Sequence, residues 1–161
     1  MERVEANEPA AVVQIGCSRS KAGDYSGAVK YFTIAAELGD ATAHFNLTAM
    51  YMRGCGVERD EKKSVYHLEE AAIGGHPEAR YNLGVIENRN GRPSRAIKHW
   101  TIAANMGDDK SLATLKNAYK EKFIRKEDFA AALRAHKAAV DATKSPQREK
   151  GEAAFEKFFI R

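Results

Sequence analysis

The chain has 161 residues, of which 43% are hydrophobic and 30% are charged, so it can bury a core beneath a charged surface. It has no run of about 18 apolar residues, which argues against a membrane-spanning helix. Its charged start, residues 1–5, does not resemble a secretory signal. Two cysteines, Cys17 and Cys55, are too few for a disulfide framework, so we expect an intracellular, cytoplasmic location.

The formal net charge of +4 is unevenly distributed. Residues 111–161 hold 12 Lys and Arg residues against 7 Asp and Glu residues, whereas the rest of the chain holds 14 against 15. The basic end is most simply a solvated surface, and the alternatives are a surface for an acidic partner or for nucleic acid. Because basic runs interleaved with aromatic residues do not occur, nucleic acid is not an expected partner.

An internal repeat dominates the sequence. Residues 28–40 return in similar form as residues 64–76 and again as residues 96–108. The glycines that close the three copies, Gly39, Gly75 and Gly107, are 36 and 32 residues apart. A period in this range indicates a helical solenoid, in which each unit buries its apolar face against its neighbours.

Each unit is predicted to form two helices. The first helix carries an apolar residue at one recurring position, and the second carries an Ala-Ala pair that lets neighbouring helices approach closely. The units span about 11–39, 43–75 and 79–107, and a partial fourth unit, 111–122, pairs with the helix that follows. The predicted fold is therefore all-α, a right-handed α/α solenoid. The recurring first-helix position holds Ile15, Leu47, Leu83 and Leu115.

The central unit is longer than the next one by four residues, and the extra length lies at residues 54–60, between its helices. Asp60 and Ser94 are predicted at or near the N-caps of second helices, because their side chains can accept a hydrogen bond from a free main-chain N–H.

The segment from Gly54 to Asp60, GCGVERD, is followed by a helix that ends in EAAIGG. This pattern resembles the Sel-one-like repeat (SLR), which belongs to the tetratricopeptide-like (TPR-like) superfamily of helical repeats. The first and third units lack the loop and resemble TPR units more closely. The resemblance implies an α/α solenoid with an adaptor or scaffold role, often in membrane-linked protein degradation or signalling.

The tail differs from the repeats. Residues 126–140 read as one alanine-rich helix, Ser145 and Pro146 are predicted to break it, and residues 147–159 begin another helix. Terminal units of a solenoid cover the last apolar face, so residues 123–161 are predicted to form a C-terminal helical cap. Phe155, Phe158 and Phe159 either pack back on the array or form a docking stripe.

At the other end, residues 7–11 align with residues 39–43 of the next unit, and residues 3–6 resemble the end of a preceding second helix. We therefore expect a longer array. The tract also resembles proteins in which a zinc-binding finger precedes SLR units, and any such module would lie upstream of Met1.

Catalytic and metal-binding chemistry is not expected. The five histidines have no i, i+4 partner, and neither cysteine stands in an activating motif. Adjacent carboxylates such as Glu69 and Glu70 point apart on a helix. We expect no cofactor, no metal and no enzymatic activity.

The remaining candidate is a binding groove. In TPR-like solenoids the first helices line the concave face. Asn side chains there can hold a peptide backbone, aromatic residues supply anchors and Arg can pair with a carboxylate. An equal alternative for the two aromatic residues is burial between units. The candidate residues are Phe45, Asn46, Met52, Arg53, Tyr81, Asn82, Asn88, Arg89, Asn117 and Lys120.

The sequence thus favours a non-enzymatic scaffold or adaptor that binds a peptide or protein, in protein turnover or complex assembly. The alternatives are a structural subunit of a larger assembly and, less favoured, a hydrolase on an SLR scaffold. The sequence does not determine the oligomeric state.

Overall fold

The computed structural model describes the backbone of residues 8–159 and the side chains of residues 8–144. The predictions on residues 1–7, and those on the side chains of Phe155, Phe158 and Phe159, lie outside these ranges. Within residues 8–159 the chain forms eight helices and no strand. They are α1 (Pro9–Lys21), α2 (Tyr25–Glu37), α3 (Ala41–Arg53), α4 (Glu61–Ile73), α5 (Pro77–Arg89), α6 (Pro93–Asn105), α7 (Asp109–Lys120) and α8 (Lys126–Phe159).

The helices alternate between two roles. The first helices α1, α3 and α5 pack against the second helices α2, α4 and α6 of the same unit, and each second helix packs against the next first helix. Helix α8 lies against α6 and α7. Because contacts run from each helix to its neighbours in order, the fold is the predicted α/α solenoid.

Aspartates cap the start of four of the eight helices in the described part of the chain. The side chains of Asp24, Asp40, Asp60 and Asp108 each accept a hydrogen bond from the main-chain N–H three residues later. The predicted cap at Asp60 is therefore correct. Ser94 is not a cap, because Pro93 takes the first helical position and needs no hydrogen-bond partner for its nitrogen.

The recurring leucines and alanines form the core. Leu47, Leu83 and Leu115 are buried, whereas Ile15 is half-buried. The Ala-Ala pairs are buried as well, and their small side chains allow adjacent helices to pack closely. The pairs are residues 35–36, 71–72 and 103–104.

The core divides into three clusters that two aromatic residues connect. One cluster lies within α1–α3, the next within α4 and α5, and the last within α6–α8. Phe45 on α3 packs against the second cluster, and its ring stacks on His76 with centroids 4.2 Å apart. Tyr81 on α5 packs against the third cluster. Both rings are half-buried and pack between units, which supports one of the two alternatives that the sequence left open.

The additional loop of the central unit connects that unit to the one before it. Gly56 has a φ of 72°, and a Cβ atom there would collide with the main chain of Tyr25 and Ser26 at the start of α2. The loop is closed by a hydrogen bond from the N–H of Asp60 to the carbonyl of Tyr51, 3.0 Å long. The loop of the central unit thus packs against the start of α2.

Helix α8 runs without a break from Lys126 to Phe159, so the predicted end at Ser145 and Pro146 is wrong. Proline inside a helix removes one main-chain hydrogen bond and frees the carbonyl four residues earlier. That carbonyl belongs to Ala142, which is exposed, so water can satisfy it. The helix is anchored at its start, where Phe129 stacks on Tyr119 with centroids 5.3 Å apart.

Candidate partner-binding face

The first helices α1, α3, α5 and α7 carry two recesses at their C-terminal ends. The α1–α3 recess has a volume of about 320 Å³. The buried Phe32 forms its floor, and the cationic side chains of Lys21 and Arg53 are part of its walls. It is lined by Cys17, Ser20, Lys21, Tyr25, Phe32, Asn46, Ala49, Met50, Arg53 and Cys55.

The second recess, between α5 and α7, has the same construction as the first. The α5–α7 recess has a volume of about 350 Å³ and is lined by Asn88, Pro93, Ile97, Trp100, Thr114, Asn117, Ala118, Glu121 and Phe123. Eight of these residues stand 68 residues, or two units, after a residue of the α1–α3 recess. Phe32 thus corresponds to Trp100, and Arg53 corresponds to Glu121.

A glycine lies beneath the aromatic floor of each recess, and its lack of a side chain leaves room for the large ring. A Cβ atom at Gly16 would lie 2.6 Å from Cε1 of Phe32, and one at Gly84 would collide with Nε1 of Trp100. In the central unit the glycine position holds Thr48 and the aromatic position holds Leu68. The side chain of Ser64 donates a hydrogen bond to the carbonyl of Thr48 there, 2.9 Å long. The glycine–aromatic pair is the signal that sequence reasoning missed.

The recesses offer unused hydrogen-bonding groups. The side-chain amides of Asn46, Asn88 and Asn117 make no hydrogen bond with any other residue in the described part of the chain. Each amide can donate and accept, which is the pattern that an extended peptide backbone presents. Of the ten predicted residues, these three and Arg53 are the ones that line the two recesses.

Charge changes sign along the face. One position at the C-terminal end of the first helices holds Lys21, Arg53 and Arg89 in turn, and then Glu121, the C-cap of α7. All four residues are exposed, and none of them forms an ion pair with another residue in the described ranges. A basic residue at this position also stabilises the helix, because its positive charge interacts favourably with the negative end of the helix dipole. The two recesses therefore share a shape and differ in charge.

The other predicted residues lie outside the two recesses. Met52, Arg89 and Lys120 are exposed, and Asn82 is half-buried. Phe45 and Tyr81 pack between units.

A histidine pair within the central unit escaped the sequence reasoning, because its members are 23 residues apart. Nδ1 of His44 and Nδ1 of His67 are 2.9 Å apart, and the ring of His67 stacks on Tyr51. Burial, and then the charges of His44 and Lys63, lowers the pKa of His67 to about 4. His67 is therefore neutral near pH 7, and one Nδ1 of the pair donates the hydrogen bond to the other.

Among the described residues, no group of three or more His, Cys, Asp or Glu side chains is arranged to hold a metal ion. Within the same part of the chain, none of the helices has the length and apolarity that crossing a bilayer requires.

Solved structures share this architecture. The chain aligns with a Sel1 repeat protein from Oxalobacter formigenes at 28% identity and a TM-score of 0.66, covering 86% of this chain and 60% of that one. A protective antigen of uropathogenic Escherichia coli, described as displaying an SLR fold, aligns at 28% identity and a TM-score of 0.65. That alignment covers 87% of this chain and 32% of the antigen.

Sequence comparison gives the same result. The chain is 24% identical to the mouse "DAP3-binding cell death enhancer 1", and the match covers 84% of this chain but 34% of the mouse protein. The Sel1 repeat profile matches residues 16–40, 41–76 and 77–108, which together make up more than half of the chain. The first and third units are thus Sel1 repeats as well, although they lack the long loop. The SLR resemblance is confirmed, and the chain belongs to the Sel1 repeat family.

Proposed function

We propose that this protein is an interaction module that binds an extended segment of a partner protein across its first-helix face. The observation that carries the proposal is the pair of recesses, which have the same construction and lie on one face two units apart. A repeated pocket with a repeated hydrogen-bonding side chain suits a linear ligand, because such a ligand presents equivalent groups at intervals.

Two further facts support this proposal. Sel1 repeats are mostly non-catalytic modules for protein–protein interaction, and the mouse relative is named for binding another protein. Each recess lies near the low end of ligand-pocket volumes, which suits one or two side chains better than a large cofactor.

The test uses the two native cysteines, both of which line the α1–α3 recess. A partner is first captured from the native source, identified by mass spectrometry and purified. We then measure the alkylation rates of Cys17 and Cys55 with N-ethylmaleimide. We expect saturating partner to slow both rates at least threefold, because a ligand on this face would cover the thiols.

A matched control places a cysteine on a second helix, at a residue that lines neither recess. Lys62 is exposed on α4, so the alkylation rate of a Lys62→Cys variant should not change when the partner binds. Equal protection at residue 62, or unchanged rates at both native cysteines, would contradict binding across the first-helix face.

A second candidate function is a structural role in a larger assembly. It is favoured by a wide cleft of about 770 Å³ between α6 and α8, lined in part by Ile97, Ile102 and Ala132. In that case Ile102→Asp, or deletion of residues 146–161, should abolish assembly in sedimentation experiments. Partner binding at the first-helix face should then be unaffected.

A further inference from the structure

The two recesses would select different groups, although they have the same shape. Lys21 and Arg53 are among the walls of the α1–α3 recess, and no Asp or Glu lines it. In the α5–α7 recess no Lys or Arg lines the walls, and Glu121 takes the place of Arg53. A carboxylate would therefore be attracted to the first recess and repelled by the nearest charge of the second.

The cations of the first recess are available to a ligand. Neither Lys21 nor Arg53 pairs with a carboxylate of the described residues, and both are exposed. The nearby ion pair between Arg19 and Asp24, 2.9 Å long, does not include them. Arg can bind a carboxylate through two parallel hydrogen bonds, and Lys adds a second charge.

Apolar groups lie beside these charges. Phe32 forms the buried floor and Met50 is buried next to it, while the ring of Tyr25 stands exposed at the wall. Asn46 supplies a free amide at the same place. The combination suits an apolar side chain that enters the recess, an adjacent carboxylate that reaches the cations, and a backbone amide that pairs with Asn46.

The distance between the recesses sets the spacing of the ligand groups. Packed helices lie about 8–10 Å apart, so two steps between successive first helices cover roughly 20 Å. An extended chain advances about 3.3 Å per residue, so roughly six residues of ligand would bridge that distance.

We propose that the partner segment is acidic and bipartite. It carries an apolar residue next to Asp or Glu in the α1–α3 recess, and a second apolar residue without a carboxylate in the α5–α7 recess, about six residues away. This inference rests on the proposed function, because it specifies the ligand of the same face. A nucleic acid would place phosphates at both recesses alike, and Glu121 disfavours that arrangement.

The experiment selects ligands from a random 12-residue peptide library displayed on phage, with the complete chain as bait. We expect the selected peptides to combine Asp or Glu with a neighbouring apolar residue, and to carry a second apolar residue five to seven positions away. Binding of synthetic, fluorescein-labelled copies is then measured by fluorescence anisotropy.

Charge reversal provides the decisive comparison. The double variant Lys21→Glu/Arg53→Glu should weaken binding at least tenfold, and replacing the peptide carboxylate with Lys should restore binding to that variant. The matched control is Lys30→Glu/Lys62→Glu, which changes the net charge equally at exposed positions on α2 and α4. Its dissociation constant should stay within twofold of the wild-type value, and circular dichroism should confirm unchanged helicity in both variants.

The outcomes separate the two proposals. In one outcome the selected peptides carry no acidic residue, and they bind more weakly to Asn46→Ala and Asn88→Ala but not to the charge-reversed variant. This outcome would overturn the acidic ligand and leave the proposed binding groove in place. Equal loss of binding in the control variant, or tighter binding of a 20-nucleotide single-stranded RNA than of any peptide, would also overturn the acidic ligand. If no peptide is enriched, or if no groove substitution affects binding, the acidic ligand and the proposed function both fail.

Discussion

At the scale of single residues, the glycine beneath each aromatic floor has the clearest consequence. Gly84 contacts Trp100 so closely that a methyl group would force the ring to move, and the indole would then lose its hydrogen bond to the carbonyl of Tyr81, which is 3.2 Å long. Alanine normally stabilises a helix by about 1 kcal/mol relative to glycine. Overpacking a core costs about 1–3 kcal/mol, so the close contact should prevail.

We therefore expect Gly84→Ala to lower the free energy of unfolding by up to about 2 kcal/mol. The control comes from the central unit, in which Leu68 lies opposite Thr48 and a Cβ atom is tolerated. In a Trp100→Leu background, Gly84→Ala should be neutral or stabilising. Urea denaturation of the four proteins in this cycle tests the contact, and an equal cost in both backgrounds would exclude it.

The histidine pair leads to a prediction about pH. The folded pKa of His67, about 4, lies below the unfolded value of 6.5, so the unfolded chain gains its proton first as the pH falls. Stability should therefore decline between pH 6.5 and 4. The full shift corresponds to about 3 kcal/mol, and solvent screening of this half-buried ring reduces the expected loss to about 1–2 kcal/mol.

The substitution His67→Tyr should flatten this decline, because Tyr31 already occupies the equivalent position of the first unit. Burial also lowers the pKa values of His76 and His99, so part of the slope should remain. Thermal unfolding at several pH values measures the difference. An identical slope in both proteins would show that His67 is not responsible.

At the scale of elements, the loop at residues 54–60 can be compared with a simpler turn. Gly56 and Gly91 both have a φ of 72°, yet a Cβ atom at Gly91 would meet nothing within 4 Å. Gly91→Ala should therefore cost only the backbone strain, about 1 kcal/mol. Gly56→Ala should cost about 2–3 kcal/mol, because the loop must also move away from Tyr25. Chemical denaturation should show this difference, and equal costs would mean that the loop does not support α2.

The elements also show what sequence reasoning can and cannot achieve. Gly39, Gly75 and Gly107, together with the leucines at one register, correctly predicted the helix pairs, because such local patterns reflect helix geometry. The break predicted at Ser145 and Pro146 was wrong, since the carbonyl that the proline leaves free belongs to the exposed Ala142. Ser94 lies near the N-cap of α6 rather than at it, since Pro93 begins the helix. The recesses were not predicted, because each depends on a glycine that meets a ring 16 residues away, beyond the range of local helix patterns.

At the scale of the whole molecule, Phe45 and Tyr81 hold the three core clusters together. Phe45→Ala and Tyr81→Ala should each lower the free energy of unfolding by about 2–3 kcal/mol, since each removes much of the contact between units. Met52→Ala, at a residue that is 41% exposed, should change it by less than about 0.5 kcal/mol. Equilibrium unfolding in urea makes the comparison. Similar values for all three variants would remove the two aromatic residues from the core.

The alternation of glycine–aromatic floors with the Thr48–Leu68 pair gives the array a period of two units. A lengthened protein should therefore be built by copying residues 9–76 as a block, which would add one recess with each block of 68 residues. Copying a single unit would keep its glycine beneath its floor but would place a different first helix at the wall that Asn46 and Arg53 now line. Each added block would then lengthen the ligand that the array can bind by the same amount.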